Sequence, residues 1–157
     1  MANDKMIRQS DTGARARSRQ LLSSASLAAV LACAPVAAHA EDRYWDANGT
    51  GVGAGGTGTW NLANLNWSPN GDGVSGPFVE PWNNGDLDDA IFGGTAGTVT
   101  IGVPVTVGNV TFSSAGYTLN GSTLTLAGVD PTIAANSGTT TINSVIAGTA
   151  GLTKAGD

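Results

Sequence analysis

The chain has 157 residues, an acidic balance of 12 Asp and Glu against 7 Lys and Arg, and 23 glycines, and the charge is divided unevenly along it. Five of the basic residues (Lys5, Arg8, Arg15, Arg17 and Arg19) precede residue 20. The segment after residue 40 therefore carries ten acidic and two basic residues, which disfavours phosphate backbones and anionic membrane surfaces and argues against nucleic acid as a partner.

Residues 1–40 read as a secretory signal peptide. The basic stretch is followed by an apolar run, Leu21–Ala38, and then by Ala38-His39-Ala40, a small-x-small pattern that predicts cleavage between Ala40 and Glu41. Ser23, Ser24, Ser26 and Pro35 interrupt the run, so a permanent membrane-spanning helix is the lesser reading. Val30-Leu31-Ala32-Cys33 offers a second alternative, a lipoprotein acylated at Cys33. Cleavage after Ala40 removes Cys33 and His39, leaving a chain with no cysteine and no histidine. Disulfides, Ser/His or Cys/His nucleophile pairs and ordinary zinc sites are then excluded.

Residues 41–89 form a region rich in Gly, Asn and Trp, punctuated by turn signals at Asn48-Gly49, Asn70-Gly71 and Asn84-Gly85. It contains all four tryptophans: Trp45, Trp60, Trp67 and Trp82. Two roles are open to them. They close the apolar end of a fold as a cap, or they stand outside it as ligand contacts, since exposed indoles stack on sugars. The acidic residues Glu80, Asp86, Asp88 and Asp89 could supply the acid and base of a glycosidase, but solvated turn carboxylates are the simpler reading. The Asn83–Asp89 loop lacks the ligand order of known calcium loops, and no metal or other cofactor is expected.

From residue 90 to 157 the pattern becomes regular. Val99, Ile101, Val103, Val105 and Val107 alternate with smaller or polar residues, the period of a strand with one buried face. Short strands are predicted at Val110–Phe112, Tyr117–Leu119, Leu124–Leu126, Thr140–Ile142 and Gly151–Thr153, with corners at Asn120-Gly121, Gly128, Pro131 and Gly138. The expected fold is all-β: the start of a parallel β-solenoid of about three coils, each of about 20 residues, with a β-sandwich as the alternative. Gly151–Lys154 opens a further strand without a polar terminus, from which the chain is expected to be part of a longer protein.

Tyr44-Trp45-Asp46-Ala47-Asn48-Gly49, Asp88-Asp89-Ala90-Ile91-Phe92-Gly93-Gly94 and the run from Val110 to Leu126 resemble the N-terminal passenger region of type V autotransporters. Ile146–Gly156 is similar to the passenger-associated β-strand repeat. The resemblance implies a right-handed parallel β-helix, shown on the surface of a Gram-negative cell and exported through an outer-membrane barrel carried by a longer parent. Without that barrel the chain would remain in the periplasm. The implied function is non-enzymatic, in adhesion or biofilm contact with a host-surface or glycan partner. A small secreted carbohydrate-binding β-domain and a shortened β-helical glycoside hydrolase are the alternatives.

Overall fold

The structure, a computed structural model, describes residues 40–49, 53–73 and 80–157. The signal-peptide and Cys33 readings fall outside the described residues, except at Ala40 and Glu41. Every regular element described is a β-strand. In chain order they are β1 (Asp42–Trp45), β2 (Gly58–Trp60), β3 (Trp67–Ser68), β4 (Asp89–Phe92), β5 (Thr98–Ile101), β6 (Val105–Val107), β7 (Val110–Phe112), β8 (Thr118–Gly121), β9 (Leu124–Leu126), β10 (Thr132–Ala135), β11 (Thr141–Ile142), β12 (Ile146–Gly148) and β13 (Thr153–Gly156).

The strands build three sheets, and each sheet takes every third strand. One runs β13-β10-β7-β4-β1-β3, a second β11-β8-β5-β2, and a third β12-β9-β6. All neighbours pair in parallel except β1 with β3. A chain that visits three sheets in turn and then returns one layer along is a β-solenoid, here of about three turns. The sandwich alternative is thereby set aside. Ala90, Val110, Ile133 and Lys154 are successive register partners, so one coil takes roughly 20–23 residues, as the spacing of corners predicts.

Alternation decides which side chains enter the core. Val99 and Ile101 of β5, Val105 and Val107 of β6, Val110 and Phe112 of β7, and Leu124 and Leu126 of β9 are buried, while the residues between them point outward. The run from Val99 to Val107, which reads as one continuous alternation, is two strands belonging to different sheets. Gly102-Val103-Pro104 turns the chain between them and leaves Val103 exposed. Proline's missing N–H suits a corner rather than a central strand. Phe92 and Phe112 are register partners and stack, with centroids 5.0 Å apart and planes 19° from parallel.

Corners are closed by glycine and by amide ladders. Gly121 ends β8 with φ 102°, and a Cβ there would lie 2.4 Å from the Ile101 carbonyl oxygen of the coil below. Only glycine permits both that conformation and that approach. Asn109 donates from its backbone nitrogen (2.8 Å) and side-chain amide to Asp89 one coil below, and its Oδ1 accepts from the Thr132 nitrogen one coil above at 2.9 Å. Asn143 and Asn120 stack in the same way, Nδ2 to Oδ1, at 2.7 Å.

The strands of the Trp-rich region lie in the same sheets as the regular repeat: β1 stacks on β4 and β2 on β5. The structure therefore begins its first, irregular coil at Asp42.

Candidate functional site

The features that sequence reading marks for chemistry or binding gather at the N-terminal end of the stack. Trp45 ends β1, Trp60 ends β2, Trp67 opens β3, and Trp82 follows the Trp67–Glu80 bridge. Each lands where its strand turns inward, and the four rings meet. Trp67 lies 5.2 Å from Trp45, 4.8 Å from Trp60 and 4.7 Å from Trp82, centroid to centroid, in edge-on or tilted arrangements. Phe92 of the next coil packs under Trp45, Trp60 and Trp67 at 5.5 to 6.0 Å. These are separations at which aromatic pairs attract beyond their buried area. None of the four rings is more than 3% exposed. Their position is that of a lid over the first regular coil, with no indole face turned to solvent. Trp45 Nε1 donates to the Gly56 carbonyl at 2.9 Å; Trp60 Nε1 and Trp67 Nε1 have no partner among the described residues.

The same end shows how the sheets stop. The edge of β1 is covered by antiparallel β3. On β2, the Thr59 carbonyl accepts from Nδ2 of both Asn66 (3.0 Å) and Asn64 (3.3 Å). On β6, the Thr106 nitrogen donates to Asn84 Oδ1 at 2.8 Å and the Thr106 carbonyl accepts from Trp82 Nε1 at 2.9 Å. Side chains thus satisfy backbone groups that a further parallel strand would otherwise take. Sequence reading locates a cap here but misses these amides, because nothing in an Asn-rich loop distinguishes a turn asparagine from one aimed at a strand edge.

Of the four acidic residues read as solvated turn carboxylates, Asp88 departs from that reading. Asp88 is buried and holds Arg43 Nε at 2.9 Å, while Glu80 takes Arg43 Nη1 at 2.9 Å and Glu41 takes Nη2 at 3.1 Å. Leu87, just before Asp88, sits at φ 56°, a left-handed conformation that costs a non-glycine residue about 1–2 kcal/mol. Burial works to lower the Arg43 pKa, but its hydrogen bond to Asp88 and the charges of Asp88, Glu80 and Glu41 carry it above the usual arginine value. Asp86 accepts from Asn83 Nδ2 at 2.8 Å, and Asp89 is held by Asn109. The four carboxylates weighed as a glycosidase pair therefore each have a structural partner. Among the described residues no group of three or more His, Cys, Asp or Glu is placed to hold a metal.

Two further ionisable groups lie under the lid. Tyr117 donates from its hydroxyl to the carbonyls of Gly93 (2.6 Å) and Thr95 (3.0 Å). Burial pushes its pKa up to about 12, the Gly56 amide pulls it back, and the charge of Asp46 adds to the rise. Asp46 is itself raised by burial, against hydrogen bonds from the amides of Asn48 and Gly49. At the other end of the stack, Phe112, Ile133, Ile142, Ile146 and Leu152 line an apolar groove beside the last coil.

No family model matches the chain. No solved structure matches it either. Over 120 residues, 76% of its length, the chain is 67% identical to the Adhesin BmaC autotransporter of Brucella suis biovar 1 (strain 1330). Those residues span only 4% of the length of that relative. Identity at this level, joined to a parallel β-solenoid, shows that the chain matches a passenger region of a type V autotransporter, as its motifs imply.

Proposed function

We propose that the chain is a non-enzymatic part of a surface adhesin: a capped solenoid start that presents or extends the passenger coils further along. The observation that carries this reading is the 67% identity to a protein named as an adhesin autotransporter. It is supported by the engagement of each candidate catalytic carboxylate in an ion pair or a hydrogen bond from an asparagine amide. On this reading residues 1–40 direct export, and an outer-membrane barrel in the longer parent delivers the segment to the surface. The binding contacts lie on outward strand faces and corners, or in coils further along.

Antibody raised against folded residues 90–157 should label intact Gram-negative cells that produce the parent protein. Labelling only after the outer membrane is permeabilised would sink the surface assignment. Deleting residues 41–157 from the parent should reduce attachment to host cells; unchanged attachment with normal display would leave the segment a spacer without an adhesive role. Glycan contact through Trp45, Trp60, Trp67 or Trp82 would require an indole to leave the core, so tryptophan emission should stay unchanged on titration with host-surface glycans.

A further inference from the structure

The backbone nitrogen of Glu41 donates to Oδ1 of Asp88 at 3.0 Å, while Arg43 Nε donates to Oδ2 of the same carboxylate. On its other side the Glu41 carbonyl accepts from the Asp89 nitrogen at 2.9 Å, the first rung joining this end of the chain to β4. The Glu41 nitrogen is therefore fixed against a buried carboxylate. Among the described residues charge there is unbalanced: Glu41, Glu80 and Asp88 share one cation, Arg43, with Asp42 and Asp89 facing each other in register alongside. Ala40, immediately before, is exposed.

We propose that proteolytic cleavage between Ala40 and Glu41 creates the missing cation, and that the new α-ammonium of Glu41 forms an ion pair with Asp88. This ion pair needs only the cleavage point read from Ala38-His39-Ala40 and is independent of the adhesin reading. In the step, water adds to the Ala40 carbonyl carbon and the C–N bond breaks. Ala40 departs as a carboxylate, and the nitrogen takes up the protons to become an ammonium at neutral pH. A neutral amide donor to Asp88 is thereby replaced by a charged one, roughly doubling the strength of that hydrogen bond. Processing then does more than remove a leader: it completes the polar cluster that anchors β1 to the loop before β4.

An unpaired α-amine titrates near 7.7–8.0, and pairing raises that value in the folded chain. The added stability is full below about pH 8 and is lost as pH rises through the raised folded value. The charged groups around the nitrogen are Glu41, Asp42, Glu80, Asp88, Asp89 and Arg43.

The test begins with the full chain secreted from a Gram-negative host and its first residue read by mass spectrometry, which should be Glu41. Cyanate, which favours α-amines over lysine near pH 7, then removes the charge. The Glu41 amine should react about 10-fold more slowly in the folded protein than in urea, with Lys154 as the internal reference. The carbamylated protein should melt about 4 °C lower at pH 7, with the gap closing by pH 10 and absent in Asp88→Asn. A different first residue, equal labelling rates folded and unfolded, or coincident melting of free and blocked chains at pH 7 would each overturn the proposal. If Asp88→Asn fails to fold, labelling and wild-type melting alone decide between the two outcomes.

Discussion

Asn84 illustrates how much a single side chain does at the closed end. Its Oδ1 accepts from the Thr106 nitrogen, and its Nδ2 reaches the Pro104 carbonyl at 3.3 Å, so one amide replaces part of a missing strand. Asn84→Ala should cost about 1 kcal/mol, read as a lowered urea midpoint at unchanged slope. Arg43 is more consequential. Arg43→Ala leaves Asp88 buried beside two other carboxylates without its guanidinium partner, and about 3 kcal/mol should be lost, as for other buried pairs deprived of one partner. Tyr117 sets an alkaline limit. Its folded pKa, up at about 12, lies above the ordinary value of 10, so the fold's stability is undiminished by this group below pH 10 and declines as pH rises from 10 toward 12. Denaturant titrations at pH 9 and pH 11 should show that decline in the wild type and a smaller one in Tyr117→Phe.

At the scale of the strand, the inward row Phe92–Phe112 joins the tryptophan lid to the regular coils. Phe112→Ala should destabilise by about 3–5 kcal/mol through lost burial and the cavity left between two coils, measurable by chemical denaturation. The period-two pattern made the middle strands legible: Val110–Phe112 and Leu124–Leu126 are strands at the predicted residues. Elsewhere the pattern was ambiguous for a physical reason. A corner in a solenoid can preserve alternation while passing the chain to another sheet, which is why Val99–Val107 read as one strand. Strands β10 and β12 were missed because Thr132–Ala135 and Ile146–Gly148 are rich in alanine and glycine, and parallel pairing rather than side-chain type makes them strands. The burial of Asp88 was illegible for a related reason: its partner Arg43 is 45 residues away, and no local signal links them.

Across the whole molecule, order should be graded along the stack. The inward-facing apolar residues of the strands from Trp45 to Leu124 are enclosed, whereas Ile146 and Leu152 in the last coil are 39% and 49% exposed. In a solenoid each coil touches mainly its neighbours, so local opening is set by how completely a coil is covered. In the 157-residue chain by itself, amide exchange in β12 and β13 should therefore run about 10-fold or more faster than in β7 and β8, with uniform exchange contradicting the gradient. The presence of a solenoid after a Trp-rich region was readable from composition and spacing, but not that β1 and β2 of that region join the same sheets. The way its end is sealed was not, since that depends on which Asn and Trp side chains reach Thr59 and Thr106 in space. That seal bears on self-association. Growth of a cross-β fibre requires each block to offer two receptive sheet edges, one to receive the block below and one to receive the block above. With β3, Asn64, Asn66, Trp82 and Asn84 occupying one of them, a Thr- and Val-rich chain can be crowded at high density without polymerising end to end.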